Sequence, residues 1–114
     1  MNKLNRELME KWVAALRSGE YKQGAEYLCQ YDEDGNATAF CCLGVLQNIE
    51  PRIKQMEDSD EELLDPFSLK KFLGVGEYDG FIQGHYADMN DSGVPFSEIA
   101  NRLEKQWLNN EENK

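Results

Sequence analysis

The sequence predicts an α+β, mostly helical fold, with three to four helices packed on a short β-hairpin in a single compact domain, residues 1–114. Three observations carry that prediction. Apolar residues recur at three- and four-residue steps near both ends of the chain, the period of amphipathic helices. A central Asp32-Glu33-Asp34-Gly35-Asn36 turn separates two short strand-like segments. At 114 residues the chain can bury roughly two-thirds of its unfolded surface, enough for a core without a metal or disulfide staple.

Helix one rests on Leu4, Leu8, Met9, Trp12, Val13 and Leu16, with Lys, Arg and Glu on the other face. Ser18-Gly19 ends it, glycine supplying the left-handed residue that closes a helix. Residues 28–31 and 37–40 form the hairpin around the acidic turn. From Cys41 the period changes: Cys42, Val45, Leu46 and Ile49 fall on one face of a buried helix. Gly44 sits inside it, which makes sense where another backbone or a ring such as Trp12 or Trp107 packs closely. An acidic linker follows at about 50–65. Asp65-Pro66 then reads as a cap with proline at the first helical position, for a helix lined by Phe67, Leu69, Phe72 and Leu73 and closed by Gly74. Residues 75–90 read as irregular, with three glycines and the aromatics Tyr78, Phe81 and Tyr86 facing outward. Phe96, Ile99, Ala100, Leu103, Trp107 and Leu108 mark a last helix, with Ser97 as its cap and 109–114 as a frayed tail.

Composition removes several function classes. The longest apolar run, 39–46, is far too short to cross a membrane, and the N-terminus leads into an amphipathic pattern without a signal-peptide core. A cytoplasmic protein is expected. Three cysteines, two of them adjacent, make a poor disulfide framework. Net charge is −10, densest at 57–65, where six acids stand without a base. Such a surface repels phosphate backbones, so direct nucleic-acid binding is not expected. It suits a basic protein partner, or mimicry of a nucleic acid.

Three blocks stand in order along the chain: Trp12-Val13-x-Ala15-Leu16-Arg17-Ser18-Gly19-x-Tyr21-x-Gln23, then Cys41-Cys42-Leu43-Gly44-Val45-Leu46, then Asn90-Asp91-x-Gly93-x-x-Phe96-x-x-Ile99-Ala100. In these the chain resembles a family of small uncharacterised bacteriophage-encoded proteins. It departs from that pattern at 51–81, which is shortened and unusually acidic. The resemblance implies an accessory role in the host cytosol, such as binding a host protein, blocking a defence system or sequestering a signalling nucleotide.

Candidate chemistry lies in four places. A thiol nucleophile at Cys41 or Cys42 would gain from a helix N-terminus, with His85, the lone histidine, as its base. Cys42 falls on the apolar stripe, however, which favours packing. A zinc site from Cys29, Cys41, Cys42 and His85 is disfavoured, because adjacent helical cysteines point about 100° apart. Neither metal nor cofactor is expected. The cluster Arg17, Ser18, Tyr21, Lys22 and Gln23 combines a guanidinium fork, a hydroxyl, a stacking phenol, an ammonium and an amide, all suited to an anionic small molecule. His85, Tyr86, Asn90 and Asp91 would complete the rim of a cleft between the end of helix one and residues 74–93.

The expectation is therefore a non-enzymatic accessory protein with an anti-defence role, binding a host-derived small ligand. An acidic protein-interaction module inhibiting a host protein is the alternative, and a thiol-dependent enzyme the second. The outward aromatics Tyr78, Phe81 and Tyr86 leave room for an oligomer.

Overall fold

A computed structural model describes residues 4–25, 27–55, 64–75 and 82–108. The first helix, α1 (Arg6–Arg17), begins at Asn5, whose side chain accepts from the Leu8 N–H at 3.0 Å. The same residue ties the helix to a distant segment: its backbone N–H donates to Leu73 O and its Nδ2 to Phe72 O. Leu8, Met9, Trp12, Val13 and Leu16 are buried, the stripe the sequence period marks, except that Leu4 precedes the helix and is half-buried. Ser18 closes the helix, and Gly19 follows at φ +78°, as expected of the residue after a helix end.

Strands β1 (Cys29–Tyr31) and β2 (Ala37–Phe40) pair antiparallel, with Cys29 opposite Phe40, and a bulge between Gln30 and Tyr31. Asp32 builds the turn: its Oδ1 accepts from the N–H groups of Asp34 and Asn36, both at 2.9 Å. On its other side β2 meets residues 22–24, where Phe40 N donates to Lys22 O and Gly24 N to Phe40 O.

Helix α2 (Cys42–Ile49) is the centre of the core, and Cys42 through Leu46 are all buried. Gly44 is there because nothing else fits: a Cβ would collide with the Leu28 carbonyl. Of the packing partners the sequence allowed, a backbone is the one found, and neither Trp12 nor Trp107 is needed to explain it. Helix α3 (Pro66–Leu73) has the predicted cap, with Ser68 N donating to Asp65 Oδ2, proline in its first turn and Gly74 at φ +75°.

The sequence reading of 75–90 as irregular does not hold for its described part. A π-helical turn, Ile82–Tyr86, runs into Ala87–Asp91, and together they form α4 (82–91). Its buried face includes the polar Gln83 and Asn90, and Gly84 interrupts it, so the apolar period is too sparse to announce a helix. Tyr86 was expected to face outward; it is fully buried. Helix α5 begins as Phe96–Leu103 and continues as a π-helical turn, Glu104–Leu108 (96–108). Its cap is Pro95 and not Ser97, for a reason that lies in Gln23, described below.

The α+β, mostly helical class is thus as expected: helices make up more than half of the described residues, and α4 is a fifth helix among them, beyond the predicted number. Helix α1 packs against α5 and α2, and its Trp12 reaches α2 and α4, donating from Nε1 to Cys42 O at 2.8 Å with its ring edge-on to Tyr86. The acidic residues 57–62, the aromatics Tyr78 and Phe81, and the tail 109–114 lie outside the described residues.

Candidate functional site

Gln23 and Asn90, both expected to contact a ligand, contact each other instead. Gln23 Nε2 donates to Asn90 Oδ1 at 3.1 Å and to Val94 O at 2.6 Å, while its Oε1 accepts from Phe96 N at 3.1 Å. Asn90 Oδ1 also accepts from Cys42 N at 3.2 Å, and its Nδ2 donates to Gly24 O at 2.7 Å. A helix leaves its first N–H groups without partners. Here two such groups, Phe96 N of α5 and Cys42 N of α2, are satisfied from a distance by side-chain amides. That is why α5 needs no serine cap. Two amides lock α2, α4, α5 and the loop at 22–24 together, in the place where an open cleft was expected.

The rest of the Arg17–Gln23 cluster diverges. Arg17 reaches across to α5, holding Glu104 through two contacts of 3.1 and 3.2 Å and Asn101 Oδ1 at 2.7 Å. The pairing raises the Arg17 pKa and lowers that of Glu104. Ser18 Oγ donates back to Ala15 O and accepts from Glu20 N, completing the helix end. Tyr21 sets its ring edge-on against Phe40, centroids 5.1 Å apart, and its hydroxyl accepts from Asn48 Nδ2. Lys22 contributes its backbone to β2 and leaves its side chain exposed.

On the α4 side, Tyr86 lies in the core and donates to Gln106 Oε1 at 2.6 Å. Burial pushes its phenol up to about 12. His85 stays exposed, edge-on to the Tyr86 ring at 5.0 Å, and Asp91 is exposed. Of the nine candidates, Gln23 and Asn90 are joined by a hydrogen bond, and His85 and Tyr86 meet through their rings. Tyr86 is removed from any rim.

Arg17 and Ser18 do border open space. A groove of about 380 Å³ runs between α1 and the end of α5, with Val13, Ala14 and Leu108 as its apolar lining and Glu10, Arg17, Ser18 and Glu104 as its polar one. Glu10 and Glu104 carried no signal in the sequence, and Leu108 only that of a core position, because no spacing relates one face of α1 to a helix some ninety residues away. Arg17 and Ser18, a base and a hydroxyl at the end of α1, gave a local signal.

The thiols are poorly placed for nucleophilic work. Cys41 Sγ accepts from Gly44 N at 3.4 Å, capping α2, and Cys42 Sγ donates to Tyr86 O at 3.4 Å. Burial raises both thiols, Cys42 well above the ordinary value, which opposes the thiolate a nucleophile requires. Among the described residues no group of three or more His, Cys, Asp and Glu side chains is placed to hold a metal ion, and no helix is long and apolar enough to cross a membrane.

No curated protein and no solved structure matches the chain. A family model does match, over residues 4–70, the stretch from α1 through the hairpin and α2 into α3. The chain belongs to that family, described as a domain of unknown function (DUF8296).

Proposed function

We propose that the protein is a non-catalytic accessory binding protein, bacteriophage-encoded and working in the host cytosol, whose acidic segment 57–62 takes a basic host protein. The charge distribution carries this reading. Segment 57–62 holds five of the chain's 22 acids and no base, the densest negative charge in the sequence. Asp65, which belongs to the same acidic run, is committed to capping α3. A run of five acids without a base, in a chain of net charge −10, suits steered encounter with a basic surface, as in the inhibition of a host defence factor. Capture from host lysate tests it. Captured protein should fall away when the five acids become Asn and Gln, and association should slow as salt rises. Capture that survives neutralisation of the segment removes the reading.

The groove beside Arg17 and Ser18 supports a second reading, a host-derived small ligand such as a signalling nucleotide. A phosphate there would have to displace Glu104 from Arg17. Thermal-shift screening with nucleotides tests it, and a shift unchanged by Arg17→Ala rules the groove out.

A further inference from the structure

The outer face of α3 joins aromatic surface to positive charge. Phe67 is 74% exposed, the most open of the large hydrophobic side chains described. Lys70 and Lys71 follow it at the third and fourth positions, the spacing that shares one helix face. Lys71 Nζ lies 5.5 Å from the Phe72 ring, and the Arg52 guanidinium covers the same ring at 4.6 Å. The Lys54 backbone is bound alongside, its N–H to Ser68 Oγ and its carbonyl to Asp65 N.

The hairpin offers the converse. From residue 23 to residue 51 the chain has no Lys or Arg. Tyr31 is 60% exposed at the end of β1, and the turn after it presents Glu33 and Asp34 to solvent while Asp32 holds the turn together. An aromatic ring flanked by carboxylates is the chemical complement of an aromatic ring flanked by ammonium groups. Both surfaces are exposed in one copy, so neither covers the other.

We propose that the protein associates with itself head to tail, the α3 face around Phe67 and Lys71 of one copy receiving the hairpin tip, Tyr31, Glu33 and Asp34, of the next. The inference is independent of the reading of segment 57–62. An extended polyanion, whether nucleic acid or an anionic bilayer, is a poorer occupant of the α3 face, because it meets the net charge of −10 along its whole length. A hairpin tip brings only the few charges that the patch can match. The two surfaces differ, so the contact is heterologous and builds rings or open chains, not a closed two-fold dimer. Near physiological salt the screening length is about 8 Å, which mutes repulsion between two acidic copies and leaves direct contacts in force.

Sedimentation velocity at physiological salt tests this with three samples: the wild-type chain, a Phe67→Ser/Lys71→Glu variant and a Glu33→Lys/Asp34→Lys variant. The wild type should form species larger than a dimer as its concentration rises. Each variant alone should be monomeric with an unchanged melting temperature, since all four positions are exposed. Mixed, each variant retains the surface the other lacks, so the pair should form a one-to-one dimer and stop. A wild type that stays monomeric at millimolar concentration overturns the proposal, as does a variant that still self-associates or a mixture that stays monomeric. Binding of an oligonucleotide or anionic vesicles that Phe67→Ser/Lys71→Glu abolishes, by a chain that never self-associates, would reassign the α3 face.

Discussion

The Gln23 side-chain amide donates to Asn90 Oδ1 at 3.1 Å, across 67 positions of sequence, and the two residues together satisfy the opening N–H groups of two helices. Polar residues are thereby used as interior architecture. Asn90 is 2% exposed, so its deletion strands Cys42 N, Gly24 O and one Gln23 donor in a buried setting. Asn90→Ala should lose about 3 kcal/mol of stability in urea unfolding.

Asn90→Asp makes a sharper test. It keeps an acceptor for Cys42 N but turns a carboxylate oxygen toward the Gly24 carbonyl, where Nδ2 now donates. Protonation restores a donor. The variant should be destabilised at neutral pH and recover part of its stability as pH falls, visible as a melting temperature rising relative to wild type on acidification.

Much of this fold is legible in the residues, and the boundary of legibility is physical. Helix α1 announces itself through an apolar stripe and a terminal glycine, and α3 adds a cap to both. Helix α4 does not, because Gln83 and Asn90 occupy its buried face: Gln83 uses both ends of its amide to hold the Leu64 backbone. A buried amide looks in sequence like a solvated one. For the same reason Gln23 and Asn90 are recognisable as chemically capable, while their mutual commitment is not. Tyr86 reads as an outward aromatic until Trp12 is placed against it.

Gly44→Ala should be among the most damaging small substitutions available. Its Cβ would meet the Leu28 main chain, and backbone cannot swing aside as a side chain can. A loss beyond about 4 kcal/mol is expected, or failure to fold, as measured by denaturation and by soluble yield.

Thiol reactivity should separate by position. Cys29 is half-buried, while Cys41 and Cys42 are buried. Ellman's reagent on the native chain should label Cys29 first, and Cys41 and Cys42 only at the rate of unfolding. Rapid native labelling of Cys42 would revive the thiol-enzyme reading.

Tyr86 makes the chain sensitive to alkali. Its phenol ionises near pH 12 when folded, against 10 ordinarily. The folded form therefore keeps a proton that the unfolded form loses, so this stability is complete below pH 10 and declines as pH climbs toward 12. Tyr86→Phe should flatten that decline in stability-versus-pH curves while losing the bond to Gln106.

At the acid end, Arg52 grips Glu50 at 2.7 and 2.8 Å and holds its carboxyl at about 2, against 4.5 ordinarily. The lowered value means that this contribution is present above pH 4.5 and fades as pH falls toward 2. Arg52→Ala should shrink the acid-induced fall in melting temperature over that window.

The Arg6 guanidinium donates to the Leu108 carbonyl at 2.9 Å, 102 positions away, and α1 has its main packing partner in α5. During synthesis at roughly 5–20 residues per second, on the order of 5–20 s pass between the addition of these two residues to the chain. Throughout that interval the apolar stripe of α1 waits for its chief partner, open to chaperones or to stray association. Translation speed, and not contact energy alone, thereby becomes a determinant of how much chain reaches its native form. A pause placed after α3 should lower the yield of folded protein more than one placed before α1.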